Sequence, residues 1–274
     1  MKLVNNNNST GIRNWISMKY LITRVLMIGW IFALSIPAAW ASKTEASPDK
    51  GWSFTAAPYV WGASLEGTVA TLPPLPAVDV DASFKDIIKK TNIGFMGVAE
   101  LRKGRFGFIT DIIWLSLSGK SGALPAPFTR KVKGDFDQLT ATLAGAYRLV
   151  DEGQSWLDLV LGVRGWYIDT SLNVGPGVLR AGNKINHKEG WVDVIGGLRT
   201  RVELGKGFYA STLTLAGGGS SKAALDLMGA ISYAFTNQFS AEAGYRYVKI
   251  NYEKSGFEWD TEIHGPILGG RYEF

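Results

Sequence analysis

From Trp52 to Phe274, apolar and polar side chains alternate with period two in segments of about ten to fifteen residues, separated by turns rich in Gly, Asp, Asn and Lys. Ten strands follow from this pattern: 52–66, 92–102, 105–117, 135–149, 156–170, 188–203, 208–217, 223–235, 239–251 and 260–274. In 135–149, Leu139, Ala141, Leu143, Tyr147 and Leu149 share one face, and Gln138, Thr140, Thr142 and Arg148 the other. In 156–170, Leu157, Leu159, Leu161, Val163 and Tyr167 oppose Asp158 and Arg164. The last strand, within "GPILGGRYEF", places Tyr272 and Phe274 opposite Arg271 and Glu273.

Soluble sandwiches alternate too, but their strands are typically about five or six residues long. Ten to twelve tilted residues are what a hydrocarbon layer requires. The expected connections are short at 103–104, 150–155, 204–207 and 236–238, and longer at 67–91, 118–134, 171–187 and 252–259, with 218–222 as the exception. Short turns on one rim and long loops on the other match an outer-membrane barrel. The predicted fold is therefore all-β: a closed antiparallel transmembrane β-barrel of ten strands, or eight if two segments are wrongly divided. Closure would satisfy every backbone group in lipid and leave no edge strand.

On such a wall the polar faces point into the lumen. They carry both signs at mid-strand: Glu100, Asp111, Asp158, Asp193, Asp226 and Glu242 against Arg148, Arg164, Arg199, Arg246 and Arg271. These are candidate lumenal ion pairs, because buried charges need partners. Gly62, Gly162, Gly197 and Gly244 on the same faces would leave room for the arginines. Trp52, Trp61, Trp114, Trp166, Tyr147, Tyr167, Tyr209 and Tyr233 are candidates for interfacial girdles or loop anchors.

The first segment reads as a leader. Lys19 and Arg24 precede an apolar run from Val25 to Ile36, and Ala39-Trp40-Ala41 fits a small-x-small cleavage site. The expected organisation is a signal peptide at 1–41, a short periplasmic segment at 42–51 and a barrel at 52–274. Met18 is an alternative start, since "MKYLITRVLMIGW" already supplies an n-region. The formal net charge of +5 shrinks when the leader goes, because Lys2, Arg13, Lys19 and Arg24 go with it and leave 25 basic against 24 acidic side chains. Basicity therefore gives no support to nucleic-acid binding. The absence of Cys excludes disulfides and thiolate metal sites.

The chain resembles bacterial outer-membrane β-barrel proteins, and more narrowly a large group of proteobacterial barrels of unassigned function. The resembling stretches are "APYVWGASLEGTV" at 57–69, "FGFITDIIWLSLSG" at 106–119, "GAISYAFTNQFSAEAGYRYVKINY" at 229–252 and the terminal "GPILGGRYEF". The resemblance implies that Phe274, with Tyr272, forms the signal read by the barrel-assembly machinery. It also implies that periplasmic chaperones escort the unfolded chain, and that outer-membrane lipid and lipopolysaccharide surround the folded one.

Site chemistry is sparse in this pattern. His187 and His264 are the two histidines, and neither has metal-ligand spacing. Asp79, Asp81 and Asp86 do not match a calcium loop. Ser220 or Ser255 could approach a histidine at the barrel mouth, but no G-x-S-x-G elbow is present. No catalytic residue, metal ligand or cofactor is assigned. The loop 67–91 contains a Pro cluster followed by "ASFKDIIKK", which predicts a short amphipathic helix. The expected role is structural integrity or surface contact of the outer membrane. A narrow pore for ions or small solutes and a lipid-modifying enzyme are the alternatives.

Overall fold

The computed structural model describes residues 51–121, 132–174 and 183–274. The expected leader at 1–41 lies outside the described residues, as does the segment following it up to residue 50. The elements are β1 (Trp52–Trp61), β2 (Ser64–Ala70), β3 (Val78–Ala82), α1 (Phe84–Lys90), β4 (Thr91–Lys103), β5 (Phe106–Ser121), β6 (Val132–Glu152), β7 (Ser155–Val174), β8 (Asn183–Gly205), β9 (Phe208–Gly219), β10 (Ala223–Ala234), β11 (Phe239–Lys254) and β12 (Phe257–Glu273).

Every pairing is antiparallel. Strands β4 to β12 pair in chain order, and β1 pairs with both β4 and β12, which closes the ring. β2 continues the line of β1 along β12: Trp61 faces Ile267, and Ser64 faces His264. Counted as one stave, β1 and β2 complete a ten-stranded barrel, and β3 is a further hairpin partner of β2. The sequence pattern locates all ten staves.

Most strands are longer than the pattern predicts, chiefly toward the long-loop rim. β6, β7 and β8 reach 21, 20 and 23 residues. Hydrocarbon needs about half of that, and the outer faces reveal where it stops. Along β7, Leu157, Leu159, Leu161, Val163 and Tyr167 face outward, and Asp169, Ser171 and Asn173 continue the same face. On β6 the corresponding switch is from Leu139 to Asp137 and Asp135. On β8 it is from Val192 to Lys188. Lipid faces the lower part of these strands and water the upper part.

The interior inverts in step. Below the switch it carries charges. Above it lie Trp61, Trp166, Ile168, Trp191, Ile250, Tyr252, Phe257 and Trp259, all buried. Trp191 stacks on Tyr252 at 4.1 Å and on Trp166 at 5.9 Å. The upper barrel is thus organised as a water-soluble one, apolar inside and polar outside, on top of a membrane barrel with the opposite arrangement.

Aromatic rings gird the short-turn rim. Phe106 meets Tyr147 at 5.1 Å, Phe208 meets Tyr233 at 4.8 Å, and Phe274 meets Phe54 at 5.4 Å and Tyr272 at 4.7 Å. The Phe274 backbone N–H donates to the Phe54 carbonyl at 2.8 Å, so the chain end is held in the wall. Trp52, Trp114, Tyr147, Tyr167 and Tyr233 are exposed on the outer face as expected. Trp61, Trp166 and Tyr209 correct that expectation: each shares parity with the lumenal residues of its strand and is buried.

Two glycine requirements stand out. Ser255 and Gly256 both have positive φ, 51° and 84°, which closes β11 and β12 with a two-residue turn. A Cβ on Gly197 would collide with the Thr214 carbonyl oxygen, so the strongly curved wall excludes a side chain there.

Candidate functional site

The lumenal charges form two layers. Nearest the short-turn rim, Asp158 of β7 is fully buried and accepts from three arginines. Arg148 Nε reaches Oδ1 at 2.6 Å, while Arg102 Nη2 at 2.5 Å and Arg199 Nη2 at 2.9 Å reach Oδ2. Glu100 completes the layer, accepting from Arg199 at 2.7 Å and Arg102 at 2.7 Å. The Trp156 ring lies 4.7 Å from Arg148 and 4.9 Å from Arg199.

The second layer lies midway along the strands. Arg246 of β11 donates to Asp226 through Nε at 3.0 Å and Nη2 at 2.7 Å, and to Asp111 of β5 through Nη2 at 2.9 Å. Arg164 of β7 donates to Asp226 at 2.7 Å and to the Thr142 hydroxyl at 2.8 Å. Tyr59 of β1 donates to Asp111 at 2.8 Å and accepts from Arg246 at 2.9 Å. Residues from β1, β5, β6, β7, β10 and β11 thereby meet in the lumen. Each carboxylate here faces more than one donor, the geometry that makes buried charge tolerable.

Of the sequence candidates, Glu100, Asp111, Arg148, Asp158, Arg164, Arg199, Asp226 and Arg246 sit in these layers. Asp193 does not: it accepts from the backbone N–H and the hydroxyl of Ser221, both at 2.7 Å. The reason is local, because β9 ends at Gly219, opposite Asp193, and the following turn tucks Ser221 inward. Glu242 and Arg271 line the lumen but have no ion-pair contact within 4 Å among the described residues. Sequence reading missed Arg102 and Tyr59. Arg102 shares parity with Glu100, which was the available signal.

Between the two layers is a cavity of about 180 Å³. Its walls include Val98, Ile109, Val160, Leu213, Leu215 and Met228 together with the paired charges. Above the second layer, the indole N–H groups of Trp61, Trp166, Trp191 and Trp259 are buried without a hydrogen-bond partner among the described residues.

The histidines lie apart from both layers. His264, on the outer face, pairs through Nδ1 with the Tyr245 hydroxyl at 2.7 Å and through Nε2 with Glu66 at 3.4 Å. His187 stacks on Phe257 at 5.7 Å, and its Nε2 is 3.5 Å from Glu189. Among the described residues neither Ser220 nor Ser255 is hydrogen-bonded to either histidine. Asp79 accepts from Thr68 at 2.8 Å, and at the start of α1 the Asp86 carboxylate accepts from the Ser83 hydroxyl while the Asp86 N–H donates to it. The Ser83 hydroxyl, and behind it Lys89 and Lys90, hold the Asp86 carboxyl below its usual range. Among the described residues no group of three or more His, Cys, Asp or Glu is arranged to hold a metal ion.

No protein-family model matches the sequence, and no curated protein does. Solved structures do. The outer membrane protease OmpT from Escherichia coli superposes with a TM-score of 0.51 at 11% identity, covering 85% of this chain and 100% of that one. The translocator domain of the autotransporter NalP from Neisseria meningitidis scores 0.42 at 13% identity, covering 93% and 98%. The attachment invasion locus protein Ail of Yersinia pestis scores 0.33 at 13% identity, covering 82% and 99%. At these identities the likeness concerns the fold alone, and only the first is close enough to carry it.

Proposed function

We propose that this outer-membrane β-barrel is axially closed, and that it serves membrane integrity or surface contact rather than ion conduction. The observation behind this reading is the second charge layer, in which Arg164 and Arg246 converge on Asp226 from strands on different sides of the lumen. A hydrated ion on the barrel axis would have to separate charges that satisfy one another, at several kcal/mol per ion. The stacked Trp166, Trp191 and Tyr252 rings add an apolar barrier above.

In the proposed orientation the short-turn rim and both barrel ends face the periplasm, following the general rule for such barrels. The polar upper wall then stands outside the cell, where Asp135, Asp137, Asp169, Lys184 and Lys188 are available to lipopolysaccharide sugars or other surface partners. Phe274, with Tyr272, would be the segment presented to the barrel-assembly machinery after chaperones deliver the chain.

Planar-bilayer recording of the protein purified from outer membranes tests the closure. Insertion without discrete openings is the expected result. Reproducible single-channel steps, altered by neutralising Asp111 or Arg199, would overturn it in favour of a pore.

A further inference from the structure

The wall of the barrel has a break on its lipid side. The ladder between β1 and β4 ends at Pro58 opposite Gly97. Both strands go on: β1 to Trp61, paired only with β12, and β4 back to Thr91, paired only with β5. The two sides meet again higher up, where Leu65 of β2 faces Ala82 of β3. Between these points residues 59–64 stand against the longer stretch 83–96, and the excess chain winds into α1. α1 is tied at the top by the Phe84 N–H, which donates to the Ser64 hydroxyl at 3.1 Å.

The height of this window matters. Val60, Ile93 and Phe95 on its margins are exposed and apolar, and Leu268 beside Val60 is 65% exposed. They belong to the lipid-facing belt. Backbone unpaired at that depth is costly unless it lines a cavity or passage. A second interruption, where β8 runs above Gly219 without a β9 partner, lies beside Lys188 and Asn186, at the height where water serves the backbone.

Behind the window the interior is apolar. Ala63 and Met96 pack with the buried core, and Tyr59 borders the window and also lines the cavity between the charge layers. Most of the charges around that cavity are engaged with one another, Glu242 and Arg271 excepted, and the larger part of the surface left to a guest is hydrocarbon. Its size, about 180 Å³, exceeds the roughly 150 Å³ of an engineered apolar cavity that takes benzene.

We propose that the window between β1 and β4 is a lateral portal, through which a hydrocarbon group of about benzene size passes from the bilayer into the lumenal cavity. The group is the free end of an acyl chain or a small lipophilic molecule dissolved in the membrane. This does not depend on axial closure, because the path runs sideways.

A photo-crosslinking amino acid in place of Met228, on the far wall of the cavity, tests it in phosphatidylethanolamine–phosphatidylglycerol vesicles. Acyl-chain adducts detected by mass spectrometry are the expected result. Absence at Met228 of acyl-chain adducts and, in vesicles loaded with toluene, of toluene adducts, with adducts at the lipid-facing control Leu161, overturns the proposal. Continuation of the ladder would put Val60 opposite Phe95, so the Val60→Cys/Phe95→Cys pair, in a chain with no other Cys, can close the window. Oxidation should suppress the adducts at least tenfold and reduction restore them. Adducts that persist in the oxidised, verified disulfide form would also overturn it. Toluene then separates the sources: competition identifies a free hydrocarbon as an occupant, and unaltered adducts identify the acyl chain.

Discussion

Arg164 on β7 donates from Nη2 to Oδ2 of Asp226 on β10 at 2.7 Å, joining strands that share no backbone ladder. The carboxylate is held at the same time by Arg246. Asp226 therefore faces two guanidinium groups, and Asp111, which also accepts from Arg246, supplies the second negative charge.

Asp226→Ala should be strongly destabilising, because it strands the buried Arg164 cation and leaves Arg246 with Asp111 alone. A loss of about 3–5 kcal/mol is expected from breaking such a group on one side. Urea titration in phospholipid vesicles, followed by the mobility difference between folded and unfolded bands, measures it. Replacing Asp226, Arg164, Arg246 and Asp111 together by Leu, Met, Met and Asn should recover much of the loss. A single variant as stable as the parent would mean that the layer contributes nothing.

The lipid boundary on β7 falls between Tyr167 and Asp169. Leu161→Arg, near the middle of the belt, should cost about 2–4 kcal/mol, whereas Ser171→Arg on the same face should cost no more than about 1. Equal costs in the same titration would show that Ser171 is also immersed.

The stack of Trp191 on Tyr252 anchors the upper barrel. Trp191→Ala should cost about 3–5 kcal/mol and loosen the long-loop rim, while the membrane belt keeps its protection from hydrogen exchange. Uniform loss of protection throughout the barrel would show that the two halves are one cooperative unit.

Burial, and then the hydrogen bond donated to Glu189 at 2.7 Å, push the Tyr252 phenol well above its ordinary value of 10.0. The folded state therefore keeps a proton that the unfolded chain releases. Below pH 10 both states are protonated and the group adds no pH dependence. As pH rises beyond 10 the unfolded state is favoured, so stability falls. Tyr252→Phe should show a shallower alkaline decline than the parent between pH 10 and 11. Parallel declines would contradict the shifted titration.

Removal of Phe274 should lower the amount of assembled barrel in cells by several fold, yet leave refolding of the purified protein into vesicles nearly intact. Defects of equal size in both assays would assign Phe274 to wall stability, through Phe54, instead of to assembly.

Reading these strands from the sequence succeeds where a single environment applies along the whole strand. Leu157 to Tyr167 alternate cleanly with Asp158 and Arg164, so both faces of β7 and its lumenal charges were legible. β12 defeats that approach. Leu268, Tyr272 and Phe274 are apolar at even positions, but Phe257, Trp259, Ile263 and Ile267 are apolar at odd ones. The strand keeps its facing throughout, and the solvent outside it changes. The odd-numbered run in "FEWDTEI" carried that signal, yet read as one strand it looks like broken periodicity. Trp61 and Trp166 read as candidates for a girdle or a loop anchor for the same reason.

The sequence by itself located the staves, their order and the charges of both signs inside, because side-chain period and turn chemistry are local; closure through β1 and β2 settled their number at ten. Tertiary structure decided which charges meet. It brought Arg164 to Asp226 and Arg199 to Glu100 across the lumen, and turned Asp193 to Ser221, since those contacts depend on barrel curvature and stagger. It also decided where the wall fails to close. Pro58 marks the end of one ladder, but only the relative lengths of 59–64 and 83–96, fixed at both ends by paired strands, turn that ending into a window.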